Sequence, residues 1–201
     1  MKKIVFYSVL MLCFLSLVGC SKRKEISIVP EEISVNTMLV RYNGEVQVAY
    51  VEQFDKEYYK LMELEEFVQK EISAYNEKLG TEEVTKEKVL LKDGKAIMVL
   101  TFSGMDQYTA FNDVSASYFK GGIDIDTLKG IPDTYVNEKN KSSVSKDTAL
   151  KNAKYKVLVV NEAYDIIVDG KIKYYTPNAT LVDDDKIQSA SDEMTVVVFK
   201  P

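Results

Sequence analysis

The chain has 201 residues, with 26 basic and 31 acidic side chains, no histidine, no tryptophan and two cysteines. The missing histidine excludes Ser-His-Asp and Cys-His catalysis, histidine metal sites and histidine pH switching. The length suits one domain or two small ones, and an acidic, mixed-sign chain argues against nucleic acid as a partner.

Lys2 and Lys3 form a positive start, and residues 4–18 are apolar except for Ser8 and Ser16. Small Gly19 then precedes Cys20. That three-part layout is a secretory signal, too short to span a bilayer, which takes about 20 apolar residues. It ends in Leu17-Val18-Gly19-Cys20 instead of an A-x-A-like site. The tetrad resembles the lipobox of bacterial lipoproteins, and the layout is similar to that of small Gram-positive envelope lipoproteins. The resemblance implies a diacylglycerol on the Cys20 sulfur, cleavage after Gly19, and a palmitate-type anchor on the extracytoplasmic side of the cell membrane. Two acyl chains meet the requirement for stable anchoring. The competing reading is an ordinary cleaved signal, or a membrane helix, with an incidental cysteine.

Removing 19 residues leaves 182, with 24 bases against 31 acids and a formal charge of −7. Cys13 leaves with the leader, so the mature chain is expected to hold without a disulfide. Lys22-Arg23-Lys24 either lies against anionic headgroups, at about 1 kcal/mol per residue, or is a solvated spacer.

Residues 21–36 are polar, contain Pro30 and carry a weak apolar rhythm (Ile26, Ile28, Val29, Ile33, Val35), which predicts a tether turning strand-like toward its end. Residues 37–54 predict a hairpin. Met38, Val40 and Tyr42 alternate on one arm and Val46, Val48 and Tyr50 on the other, around Asn43-Gly44, the preferred pair for a two-residue type I′ turn. Residues 55–79 predict the longest helix, with Asp55 as its cap and Phe54 and Tyr59 as a hydrophobic staple. Leu61, Leu64, Val68, Ile72, Tyr75 and Leu79 make one apolar stripe ending at Gly80. The stripe reads as packing against a sheet, with a partner groove as the alternative.

A second hairpin is expected over residues 84–102 around Asp93-Gly94, its return strand apolar on both faces and therefore central. Ser103-x-x-Asp106 has the form of a capping box. It predicts a shorter helix with Tyr108, Phe111, Ser115 and Tyr118 on one side, and Gly121-Gly122 either ends it or starts the next extended segment. Residues 121–146 are the least regular and read as a boundary. Residues 155–199 read as β, with strands at 156–160 and 195–199 and a third hairpin around Asp169-Gly170.

The expected fold is α+β: antiparallel hairpins packed on one long and one shorter helix, then a C-terminal β-rich subregion. The expected division is a leader (1–19), a lipidated tether (20–36), an α+β subdomain (37–122), an irregular connector (123–150) and a β-rich subdomain (151–201).

Candidate chemistry is sparse. Asp183-Asp184-Asp185 and the pair Asp124, Asp126 are the densest carboxylates, but neither has EF-hand spacing. They read as solvated turns, so no metal or cofactor is expected. Paired carboxylates could serve a small envelope hydrolase, yet no tryptophan is present to stack a sugar. Tyr58-Tyr59 and Tyr174-Tyr175 each predict one core ring, and the other ring reads first as a good β former, with stacking on a glycan or a partner as the alternative. Gly121-Gly122 has no phosphate-loop pattern, and the chain lacks the strand–helix alternation of a two-lobed solute-binding protein. The function expected is a non-catalytic binding or assembly module held on the membrane through the lipid on Cys20. The hydrolase is the alternative, marked by carboxylates converging in a deep cleft.

Overall fold

A computed structural model describes residues 26–121, 130–190 and 193–201. The Leu17-Val18-Gly19-Cys20 motif, Lys22 to Lys24, and the pair Asp124, Asp126 lie outside the described residues. Among those described, the fold is mixed α+β and mostly β. The elements in chain order are β1 (Thr37–Val40), β2 (Val46–Gln53), α1 (Leu61–Leu79), β3 (Val84–Lys92), β4 (Lys95–Phe102), α2 (Met105–Asn112) and β5 (Ala116–Phe119). They continue as β6 (Thr134–Asn137), β7 (Ser143–Ser145), α3 (Lys146–Leu150), β8 (Lys156–Val160), β9 (Asp165–Val168) and β10 (Lys171–Tyr175). β11 (Thr180–Leu181), β12 (Lys186–Gln188) and β13 (Thr195–Lys200) complete the chain.

The strands form two sheets. The first runs β11-β12-β9-β1-β2-β4-β3 and the second β5-β8-β13-β10-β6-β7. Period-two alternation explains how they share a core. Met38, Val40, Val46, Val48, Leu100 and Phe102 of the first sheet meet Leu158, Ile172, Val197 and Phe199 of the second in one buried cluster. Val68 and Ile72 of α1, and Met105 and Tyr108 of α2, join the same cluster. The intervening residues serve the outer faces. Leu39, Ala49 and Val99 are covered by the N-terminal segment, while Val157, Val159, Val196 and Val198 are covered from the side of α3 by Ala149 and Leu150.

That N-terminal segment is a strap laid across the first sheet, where a tether was expected. Ile26, Ile28 and Ile33 pack on the outer face, with a single 3₁₀ turn at Pro30–Glu32. The Ile28 amide donates to Gln47 Oε1 at 2.7 Å, Lys92 Nζ to the Glu31 carbonyl at 2.6 Å, and Lys95 Nζ to the Ser34 carbonyl at 3.3 Å.

Several local expectations are corrected. The first turn spans residues 41–45: Gly44 N donates to Arg41 O, and Gly44 takes φ +100°. The two-residue turn is at Asp93-Gly94 instead, where both residues have positive φ (51° and 73°) as a type I′ turn requires. α1 starts at Leu61 with Lys60 at its N-cap, so Asp55 does not cap it, and Asp55 Oδ2 instead accepts from Gln53. Gly80 does end the helix in the left-handed region, while Leu79 is 46 % exposed and off the buried stripe. α2 has Gly104 at its N-cap because the Ser103 hydroxyl bonds to the Glu83 carboxylate. It closes at Asp113 in the left-handed region, short of Gly121, so Tyr118 belongs to β5. Residues 134–145, expected to be irregular, hold the β6–β7 hairpin at the edge of the second sheet.

Asp169-Gly170 is the largest departure. It carries the chain between sheets instead of turning a hairpin. β9 pairs in parallel with β1 (Thr37 opposite Asp165, Val40 opposite Val168), whereas β10 pairs antiparallel with β13. The first sheet thus takes strands from both sides of residues 123–150.

Candidate functional site

The crossing at Asp169-Gly170 shapes a cleft of about 710 Å³ where strands of both sheets end. Asp169 is buried; its amide donates to the Val40 carbonyl at 3.0 Å and its Oδ2 accepts from the Tyr42 amide at 3.4 Å. A Cβ on Gly170 would sit 2.3 Å from the Lys200 carbonyl oxygen and 2.9 Å from Pro201 Cα, so the crossing requires glycine. Lys171 then places Nζ 2.6 Å from Asp184 Oδ2, and the Ile172 amide donates to the Asp184 carbonyl at 2.7 Å. Ile26, Tyr155 and Lys173 border the same cleft.

Carboxylate oxygens of Asp183, Asp184 and Asp185 lie within 4.8 Å of one another. Two of the three are committed to protein donors: Asp183 Oδ1 accepts from the Asp184 amide at 2.7 Å, and Asp184 holds Lys171. Burial, then the negative charges of Asp184 and Asp183, raise the Asp185 carboxyl above its usual range. A cation at this turn would have to displace the Lys171 ammonium. The arrangement therefore fits a loop tied to β10 better than a calcium cage, which takes six to eight oxygens.

A second polar group is buried between the sheets. Tyr108 Oη and Tyr164 Oη share a hydrogen bond of 3.0 Å. Tyr50 Oη donates to Asn112 Oδ1 at 2.9 Å, and Asn112 Nδ2 donates to the Tyr108 carbonyl at 2.8 Å. Burial pushes the phenols of Tyr50, Tyr108 and Tyr164 above the ordinary tyrosine range. They stay neutral at physiological pH, which suits a structural network and not a base or nucleophile. Tyr118 is pushed up to about 12, by burial first and then by Asp169.

One aromatic pair has the expected core ring and the other does not. Tyr175 is core and Tyr174 is half-buried 6.5 Å from Tyr155. Tyr58 and Tyr59 are both exposed, at 72 % and 42 %, with Tyr59 stacked on Phe54 at 4.9 Å. Sequence reasoning missed Asn76. Its Oδ1 accepts from the Glu83 and Val84 amides at 3.0 and 3.1 Å and its Nδ2 donates to the Val84 carbonyl at 2.9 Å, clamping α1 to β3. The available signal was an amide side chain next to the stripe residue Tyr75. Arg41 was also missed, and nothing in its local sequence marks it.

These observations define a mostly β, two-sheet α+β protein with a polar cleft at its strand ends. The chain matches no protein-family model, no curated protein and no solved structure. Among the described residues no helix is long and apolar enough to cross a membrane.

Proposed function

We propose that this chain is a lipid-anchored envelope lipoprotein whose α+β domain is a non-catalytic binding or assembly module on the extracytoplasmic side of the membrane. The observation that carries the reading is Leu17-Val18-Gly19-Cys20 closing a short apolar leader behind Lys2 and Lys3. Two features lend support. The strap is bound to the first sheet from Ile26 onward, six residues after Cys20, so an anchor there would hold the folded domain on a short leash. Among the described carboxyls only Asp185 is clearly raised, and it sits in a loop tied by Lys171, which is poor support for the hydrolase alternative.

Within this reading, residues 37–122, with their hairpins seated on the long and short helices, and the β-rich residues 151–201 are subregions sharing one core. An envelope protein or a glycan is the partner class. Replacing Cys20 with Ala and fractionating the cells tests the anchor: the variant should leave the membrane fraction. Equal retention of Cys20→Ala and the parent would overturn it.

A further inference from the structure

β3 is the outermost strand of the first sheet, with β4 on one side and no strand on the other among the described residues. An outermost strand turns the N–H and C=O of alternate residues away from its sheet. At Val84 those two groups are already matched by a side chain. Asn76 Oδ1 accepts from the Val84 amide at 3.1 Å, and Asn76 Nδ2 donates to the Val84 carbonyl at 2.9 Å. That reciprocal pair of bonds is what a residue of a neighbouring antiparallel strand makes, so Asn76 stands in for the first residue of an added strand.

Two residues on, Lys86 repeats the outward geometry. Beyond the bulge between Lys86 and Lys88, the two-residue turn at Asp93-Gly94 makes Lys92 and Lys95 a hydrogen-bonded pair, so Val89 and Leu91 face outward in the same way. Among the described residues no other segment bonds to the backbone at these three positions. Leu91 is exposed.

α1 runs beside this edge and leaves a groove. Spaces of about 530 and 490 Å³ adjoin along it and share Gln69, Ser73 and Lys86. α1 forms one wall, with Met62 exposed near its start, and Val84 to Lys86 form the other. The groove is acidic. Glu65 is paired with Lys86 at 3.8 Å, while Glu66, Glu77 and Glu82 have no ion-pair partner among the described residues. Lys70 is the one unpaired ammonium set against those three among the described residues.

We propose that the open edge of β3, with the flank of α1 beside it, is a strand-addition site for an extended, basic segment of a partner protein. Main-chain bonds at Lys86, Val89 and Leu91 supply the attachment, and the acidic groove selects the sequence. A second copy of this chain is a poor occupant. Pairing β3 with itself brings Lys86, Lys88 and Lys92 of each copy into one interface against a single Glu87 from each. The inference rests on the binding-module reading, whose partner it narrows to a protein, and it does not depend on the lipid at Cys20.

The test mixes the full chain, purified in detergent, with a blocked peptide of alternating lysine and threonine, and follows hydrogen exchange by mass spectrometry. Exchange should slow within residues 84–92 and stay unchanged within residues 37–53. A fully N-methylated version of the peptide cannot donate to the strand and should bind on the order of tenfold more weakly. A peptide of alternating glutamate and threonine should also bind more weakly. Glu66 and Lys70 are exposed on α1, so their substitution leaves the core untouched, which unchanged thermal unfolding would confirm. Glu66→Lys should weaken the lysine–threonine peptide and Lys70→Glu should tighten it, each by roughly two- to fivefold. Equal binding of the N-methylated or the glutamate peptide, protection away from β3, dimerisation through β3, or no binding of the lysine–threonine peptide would each overturn the site. A failed peptide titration overturns this site alone, and retention of Cys20→Ala in the membrane fraction overturns the anchor alone.

Discussion

Arg41 donates to the carbonyl oxygen of Ile26 from both Nε and Nη2, at 3.1 and 3.0 Å, across 15 residues of sequence. Its third nitrogen pairs with Glu45, and the side chain is nearly buried. One guanidinium therefore ties the start of the strap to the first turn. A charge-assisted bond of this kind contributes roughly 1.5–3 kcal/mol.

Arg41→Met is accordingly expected to lower unfolding free energy by about 2 kcal/mol in denaturant titration, and to speed proteolysis within residues 26–33. Arg41→Lys should recover only part of the loss, because an ammonium cannot reproduce the planar fork. Equal stability of Arg41→Met and the parent would mean that the clamp carries nothing.

Ile72 is 3 % exposed within the shared core, so Ile72→Ala should cost about 2–5 kcal/mol. Glu66 is exposed on the same helix, and Glu66→Ala should stay within about 0.5 kcal/mol of the parent. Leu79→Ala should fall much nearer to Glu66→Ala, since Leu79 lies at the exposed helix end.

Removing one hydroxyl of the Tyr108–Tyr164 pair orphans the other. Tyr108→Phe should cost about 1–3 kcal/mol, and the double variant with Tyr164→Phe less than the two single losses added. The pair also sets a pH window. Both phenols have folded-state values raised by burial above the ordinary value near 10, so the unfolded chain loses these protons first as pH climbs. Their contribution is fully present below about pH 10 and falls above it, by at most about 1.4 kcal/mol per pH unit for each tyrosine. Denaturant midpoints measured from pH 8 upward should decline more gently in the double variant.

Calcium should leave the melting temperature nearly unchanged relative to EDTA, because Lys171 already neutralises Asp184. A site with a dissociation constant 100-fold below the added calcium would add about 2.7 kcal/mol, raising the midpoint several degrees at roughly 2–4 °C per kcal/mol. A shift of that size, abolished by Asp184→Asn, would make the acidic loop a metal site. The Lys171–Asp184 pair is exposed, so Lys171→Ala alone should leave the denaturation midpoint nearly unchanged.

Local signals in the sequence reported local geometry well. Asp93-Gly94 specified its turn because the two positive φ values are properties of those residues. Gly80 specified a helix end for the same reason. Asp169-Gly170 has the same appearance, but the choice of pairing partner lies elsewhere, in the Val40 carbonyl that receives Asp169 and the strand end that crowds Gly170. The α1 boundary slipped six residues because the cap signal at Asp55 was real chemistry spent on Gln53. The strand order of the second sheet was not legible at all. Lys120, Lys156, Lys171 and Lys200 are separated by 15 to 36 residues and become neighbours only through strand order.

The parallel pairing of β1 with β9 also constrains how the chain can be made. β1 lies near the start and β9 more than 120 residues later, so during synthesis or export the first hairpin emerges with the β1 edge unpaired. An open hydrophobic edge is a template for misassociation, and long-range pairing slows folding. The first sheet closes only when residues 165–168 arrive. Truncation before them should produce aggregation instead of a smaller stable fragment, and an exported chain would gain from assistance that shields β1 until its partner appears.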